Sequence, residues 1–188
     1  MHAYIETISD SPIIAAVQSR DKLECAIKLS VPTVFLVNTD IFSAKEYVSL
    51  AKSALCNVFL HMDLIDGLAG NTKAVDYVKN RISPSGIIST KSALIKYARE
   101  QGVFCIQRFF MVDSASFENA ISTIKNTKPS MVELMPGIIP GIIRRFSEAV
   151  DTPVIAGGLV THRQQIIDAL SMGALGVSTG CVELWNEG

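Results

Sequence analysis

Several things are scarce in this chain of 188 residues, and each scarcity closes off a class of protein. Net charge is nearly absent: 17 Lys and Arg stand against 18 Asp and Glu, a formal balance of −1. A protein that holds nucleic acid or an anionic membrane by bulk charge is thereby excluded, though a local patch is not. No apolar run approaches the roughly 20 residues that span a bilayer. The opening MHAYIETISDSP carries acidic residues and no apolar core, so it does not read as a secretory signal. Cysteine is thinly spread: Cys25, Cys56, Cys105 and Cys181 form no CxxC pair and no metal-type spacing, which suits reduced core residues of a cytoplasmic protein. Charged residues are only 19% against 48% hydrophobic, which rules out a disordered chain.

What is present is a beat. Short runs rich in Val and Ile occur at Ile13–Val17, Thr33–Asn38, Asn57–Ile65, Gly86–Thr90, Phe104–Phe110, Met131–Pro136, Pro153–Leu159 and Gly176–Gly180, their starts 18 to 29 residues apart. That interval fits one parallel strand plus its crossover helix. Helices are expected over 22–30, 43–54, 72–82, 91–101, 114–127, 137–149 and 162–171. In the fifth of these, Phe117, Ala120, Ile121 and Ile124 form an amphipathic stripe. Seven strand–helix pairs and an eighth strand make a compact (β/α)8 TIM-type barrel whose eighth helix is short or missing. No GxGxxG follows the first strand, as an open doubly wound sheet binding a dinucleotide would have it. The whole chain, 1–188, is read as one barrel domain, with residues 1–12 a lead-in and 181–188 a closing stub. Without an eighth helix, Leu184 and Trp185 would leave an apolar flank that a second subunit could cover, giving a homo-oligomer.

Parity sorts the polar residues. In 58–65 the apolar Val58, Leu60, Met62 and Leu64 are assigned outward, which turns His61 and Asp63 into the lumen. In Met131–Pro136, Glu133 turns inward on the same logic. Polar residues gather at the strand C-termini, where barrels of this kind carry their chemistry: Ser89 and Lys91, Gln107 and Arg108, Gly157 and Gly158, and Ser178, Thr179 and Gly180. Glycines after the seventh and eighth strands let backbone amides approach a phosphate, although a glycine pair also simply turns a chain. Arg108 needs an anion, either a phosphate or one of Asp63 and Glu133. Lys91 stands at a helix start, where a cation fits beside an anion or in solvent. His61, Asp63 and Glu133 are open to three uses: holding polyol hydroxyls, ligating a metal, or acid–base work.

Six blocks carry a resemblance: HMDLIDG (61–67), GIISTKSALI (86–95), IQRFFMVDSAS (106–116), VELMPGIIPGII (132–143), PVIAGGLV (153–160) and GALGVSTGCVELW (173–185). In this order they resemble the glycerol-3-phosphate-responsive antiterminators, regulators of bacterial glycerol uptake operons, from about Ile13 to Trp185. The resemblance implies a compact barrel that senses glycerol 3-phosphate as effector, uses no cofactor and does not turn its ligand over. It also implies that the protein contacts leader mRNA to prevent premature termination; nothing in the composition signals RNA binding. Two positions depart from the family pattern: Lys91 where arginine is commoner, and Gly180 where a polar residue is commoner. The residues after Asp66 also look shortened. From the strand ends, Gly157, Gly158, Ser178, Thr179 and Gly180 are assigned to the phosphate. His61, Asp63, Ser89, Lys91, Gln107, Arg108 and Glu133 are assigned to polar contacts. The rival reading is a barrel enzyme of isomerase or aldolase type on a small phosphorylated metabolite, with Lys91 forming a Schiff base or Glu133 taking a proton.

Overall fold

The computed structural model describes residues 3–186. Eight parallel strands close into a barrel: β1 (Ile13–Val17), β2 (Thr33–Leu36), β3 (Asn57–His61), β4 (Gly86–Ser89), β5 (Cys105–Phe110), β6 (Met131–Met135), β7 (Val154–Gly157) and β8 (Gly176–Thr179). Neighbours in sequence are neighbours in space, and β8 closes on β1 in the register Ile14 opposite Ser178. Seven helices follow the first seven strands: α2 (Arg20–Lys28), α3 (Ala44–Ser53), α4 (Thr72–Tyr77), α5 (Ser92–Glu100), α6 (Ser114–Thr127), α7 (Pro140–Ala149) and α8 (Arg163–Ser171). The expected helix 72–82 is α4 continued by a π-helical turn, Val78–Ile82. The helix expected from 137 begins only at Pro140, because the Gly137 amide is engaged by the carbonyls of Gly157 and Gly158.

After β8 no α-helix follows among the described residues, only a 3-10 turn at Val182–Leu184. The open flank expected there is not found. Leu184 and Trp185 are buried, and the indole N–H of Trp185 donates to the Thr179 carbonyl at 2.9 Å. The stub therefore covers its own gap. The far ends of the lead-in and of the stub, 1–2 and 187–188, lie outside the described residues.

The lead-in holds an element the strand count does not anticipate: helix α1, Ala3–Asp10. Its Tyr4, Ile5 and Ile8 share one face and pack into the lumen with Ile14, Phe35, Phe59, Ile88, Phe104, Ile106, Met131 and Ile155. Tyr4 meets Phe59 and Phe104 edge-on, with ring centroids 5.6 and 5.4 Å apart. The N-terminal end of the barrel is thereby plugged. A second, larger apolar cluster fills the space between strands and outer helices.

Two-residue periodicity then dictates what lies above this plug. One step along each strand from Phe59, Ile106, Met131 and Ile155 come His61, Arg108, Glu133 and Gly157, and Ser178 stands level with them on β8. The lumen is thus hydrocarbon below and polar above, at the end where seven βα loops leave the strands.

Candidate functional site

The polar layer is organised by one buried carboxylate. Glu133, fully buried on β6, accepts from Arg108 Nε on one oxygen and from the Ser178 hydroxyl on the other, each at 2.6 Å. Arg108 and Glu133 are register partners across β5 and β6, so the ion pair follows directly from strand pairing. Burying such a pair is tolerable only when its remaining donors and acceptors are met, since the desolvation penalty rivals the attraction. Arg108 meets Glu133 through Nε and also lines the cavity above. Gly157 lies over the Glu133–Ser178 bond. A Cβ there would collide with both Glu133 Oε1 and Ser178 Oγ, so glycine is required for the carboxylate to reach β8.

Above this floor opens a cavity of about 290 Å³ at the C-terminal mouth, lined by Ala16, Gln18, Val37, Leu64, Arg108, Glu133, Met135, Gly158, Leu159, Val160, Ser178, Thr179 and Gly180. It stands at the small end of ligand pockets, roughly 300–1,000 Å³. Its wall beyond β7 is unusual. Gly158 and Leu159 both take left-handed backbone, φ 79° and 61°. Leucine rarely adopts that region, and Leu159 does so 69% exposed, so no burial of its side chain offsets the strain. The turn is held from β8: the Thr179 hydroxyl donates to the Val160 carbonyl at 2.7 Å and accepts from the Cys181 amide at 3.0 Å. At the neighbouring strand end Lys22 Nζ donates to the Gly180 carbonyl at 3.2 Å, bringing a cation from α2 to the loop after β8.

Of the residues assigned from the sequence, the cavity brings together Arg108, Glu133, Gly158, Ser178, Thr179 and Gly180. The others fall elsewhere. Gln107 has the outward parity of β5 and is buried between α5 and α6, donating to Ser92 Oγ and accepting from Thr127 Oγ1. Gly157 packs on the Glu133–Ser178 contact and does not line the cavity. The strand expected to run through Ile65 stops at His61 and is followed by a 3-10 turn, Met62–Leu64, so the alternation ends there. Asp63 is pulled sideways to the end of β4, where it accepts from Ser89 Oγ (2.7 Å), Thr90 N (2.7 Å) and Thr90 Oγ1 (2.8 Å). Burial alone would raise its carboxyl, but these donors and His61 outweigh it and hold Asp63 below the ordinary range. Ser89 is occupied by the same contact. Leu64, assigned outward, instead turns onto the cavity wall. Lys91 is exposed, its amine beside Gly70, away from the cavity.

His61 is buried in the lumen with Nδ1 unpartnered. Burial, reinforced by the Arg108 charge and opposed by Asp63, pushes its imidazole down to about 4, so it is neutral at pH 7. No three His, Cys, Asp or Glu side chains among the described residues converge as a metal-holding group, so His61, Asp63 and Glu133 do not form one. No described helix is long and apolar enough to cross a membrane. Sequence reading missed Gln18, Lys22, Leu64 and Leu159. Gln18 was within reach, since Ile14, Ala16 and Gln18 continue one parity past β1. Nothing in a leucine announces a positive φ.

Comparison with known proteins supplies the remaining findings. Residues 13–185 match the family model described as glycerol-3-phosphate responsive antiterminator. The Escherichia coli K12 protein YgcP is 32% identical over 181 residues, 96% of this chain and 95% of its own. The crystal structure of a glycerol uptake operon antiterminator regulatory protein from Listeria monocytogenes superposes with a TM-score of 0.92 at 32% identity, covering 95% of this chain and 97% of that one. A glycerol uptake operon antiterminator-related protein from Thermotoga maritima gives 0.84 at 30% identity, over 93% and 98%. An aldolase at 12% identity and TM-score 0.74 shares the barrel fold alone.

Proposed function

Because this chain belongs to the glycerol-3-phosphate-responsive antiterminator family, we propose that it is an effector-gated regulator: glycerol 3-phosphate occupies the mouth cavity and strengthens the protein's hold on the leader mRNA of a glycerol uptake operon. The observation that carries this reading is a small cavity whose two ends differ in chemistry. At one end the Gly158–Val160 turn, Gly180 and Lys22 offer backbone donors and a cation to a phosphate, with the N-terminus of α8 just beyond. At the other, Arg108, held in place by Glu133, offers guanidinium donors to the hydroxyls. No step of catalysis is required of these groups. Glu133 is tied on both oxygens, and Lys91, the Schiff-base candidate, stands outside the cavity. The effector acts by binding the RNA-competent state more tightly than its alternative; equal affinity for both would shift nothing.

Gly180 is the place to test the ligand. A Cβ there would meet only the Ala16 carbonyl, at an ordinary 3.6 Å, and its φ is not left-handed, whereas any side chain at Gly158 would be strained. Gly180→Asp is expected to abolish calorimetric binding of glycerol 3-phosphate while leaving the melting temperature unchanged, with Gly180→Ala as the neutral control. Unchanged affinity in Gly180→Asp would move the phosphate elsewhere. A mobility shift of the source organism's leader transcript, tightened by glycerol 3-phosphate, is the expected companion result; no shift under either condition would overturn the RNA half of the reading.

A further inference from the structure

Five successive outer helices carry cations at one end. Each runs back from the mouth, so its last turn lies at the face opposite the mouth cavity, where the strands begin. There stand Lys28 of α2, Lys52 of α3, Lys79 and Arg81 of the π-helical turn that continues α4, Arg99 of α5, and Lys125 and Lys128 at the end of α6. All are exposed, and none makes an ion pair among the described residues. On the same arc the helix ends offer one carboxylate, Glu100. A chain with a formal net charge of −1 thus carries a basic stripe.

The stripe is continuous. Lys52 Nζ donates to the Ser83 carbonyl beyond α4 at 3.0 Å, and Lys79 Nζ to the Gln101 carbonyl beyond α5 at 2.7 Å, so each ammonium reaches the next helix end. These neutral carbonyls fix the charges without cancelling them. From α2 to α6 the arc takes four helix-to-helix steps of about 8–10 Å each. A cation at a helix C-terminus also complements the helix dipole. That cause acts on every helix, yet α7 and α8 have no basic residue in their last turns. Asp151 follows the first of these and Asp168 stands near the end of the second, while α1, the plug of this face, carries Glu6 and Asp10. The basic region is therefore an arc with acidic borders. At the mouth, Asp21, Asp40, Glu46, Asp63, Asp66 and Asp113 are interleaved with Lys22, Lys45, Lys73 and Lys91, so neither sign prevails.

A narrow row of unpaired cations bordered by carboxylates suits a single polyanionic strand that can follow it. We infer that the leader RNA runs along this arc, its phosphates met by the basic ends of α2 to α6, on the face of the barrel opposite the mouth cavity. The inference rests on the function proposed above and adds to it where the transcript lies. An anionic bilayer is also drawn to cations, but it takes an apolar helical face along with them. Near this arc the large exposed apolar side chains among the described residues are Leu55 and Tyr77, which make no such face. RNA and effector then occupy opposite ends of one barrel and use different groups, so their linkage runs through the strands and helices between.

The test is an Arg81→Gln/Arg99→Gln/Lys125→Gln variant, titrated with labelled leader transcript over a salt series at saturating glycerol 3-phosphate. All three side chains are exposed, so the melting temperature should hold. RNA affinity should fall at least about tenfold at low salt, and the slope of log affinity against log salt should flatten by about 2, three contacts at roughly 0.7 each. Calorimetric affinity for glycerol 3-phosphate without RNA should be unchanged, because none of the three lines the cavity. Arg81→Lys/Arg99→Lys keeps the charge and should keep the slope. Lys45→Gln/Lys73→Gln/Lys91→Gln removes as much charge from the mouth ends of α3, α4 and α5. That is about 15 Å away along a ten-residue helix, beyond the roughly 8 Å Debye length, so RNA affinity there should stay within about twofold of wild type. An arc variant that binds the transcript with the wild-type slope overturns the inference and leaves the proposed function standing. An equal loss in the mouth-end variant does the same, because binding would then follow bulk charge. So does an arc variant that loses only its hold on phosphatidylserine vesicles, which would assign the arc to a membrane. A wild type that binds no transcript at all removes both.

Discussion

His61 is the residue whose surroundings most change its chemistry. Enclosed in the lumen beside the Arg108 guanidinium, its imidazole is pushed down to about 4, against an ordinary value near 6.5. The unfolded chain takes up a proton that the folded chain refuses. Stability is therefore full above about pH 6.5 and declines as pH falls toward 4, with a slope of up to one proton. Asp63, held below the ordinary carboxylate range, adds a loss of the same sign only at lower pH. Urea midpoints of the wild type should fall between pH 6.5 and 5, and those of His61→Gln should stay level over that window. The slope is the readout, because replacing a buried ring also shifts the whole curve. A variant with the wild-type slope would assign the titration to another group.

At the scale of elements, helix α1 is the surprise, and its absence from the sequence reading has a physical cause. An eight-residue helix is too short to show a long amphipathic stripe, and its apolar face docks on a lumen that exists only once the barrel has closed. Ile8, fully buried at its centre, should be expensive to truncate: Ile8→Ala is expected to lower unfolding stability by about 2–4 kcal/mol, read from urea unfolding. A loss below about 1 kcal/mol would mean that α1 rests on the barrel without sealing it. The strands were legible, by contrast, because each is a β-branched run punctuated by turn residues. Parity carried the reading from strand to site where a strand stayed regular, as for Arg108 and Glu133. It failed at Asp63, where the 3-10 turn breaks the alternation, and at Gln107, where an outward residue proved to be polar because two helices supply it with partners. The left-handed Leu159 left no trace in the sequence at all.

For the molecule as a whole, closure is the governing fact. The last strand pairs with the first, and the stub after it is pinned by Trp185, the one tryptophan in the chain. Its fluorescence therefore reports the barrel's closing edge, while far-ultraviolet circular dichroism reports the helices all round. Because β1 and β8 hold each other, both probes should give one coincident urea transition. A fluorescence midpoint that precedes the dichroism midpoint would show the stub and β8 leaving before the rest.

The plug at the N-terminal end has a further consequence. A vessel stoppered below has a single doorway, and traffic through it is first in, last out. Whatever lies over that doorway becomes a lock on the contents, so the dwell time of a small occupant is set by its cover rather than by its own grip. With glycerol 3-phosphate as the proposed occupant, such an arrangement would let a brief rise in the metabolite be felt after the rise has passed.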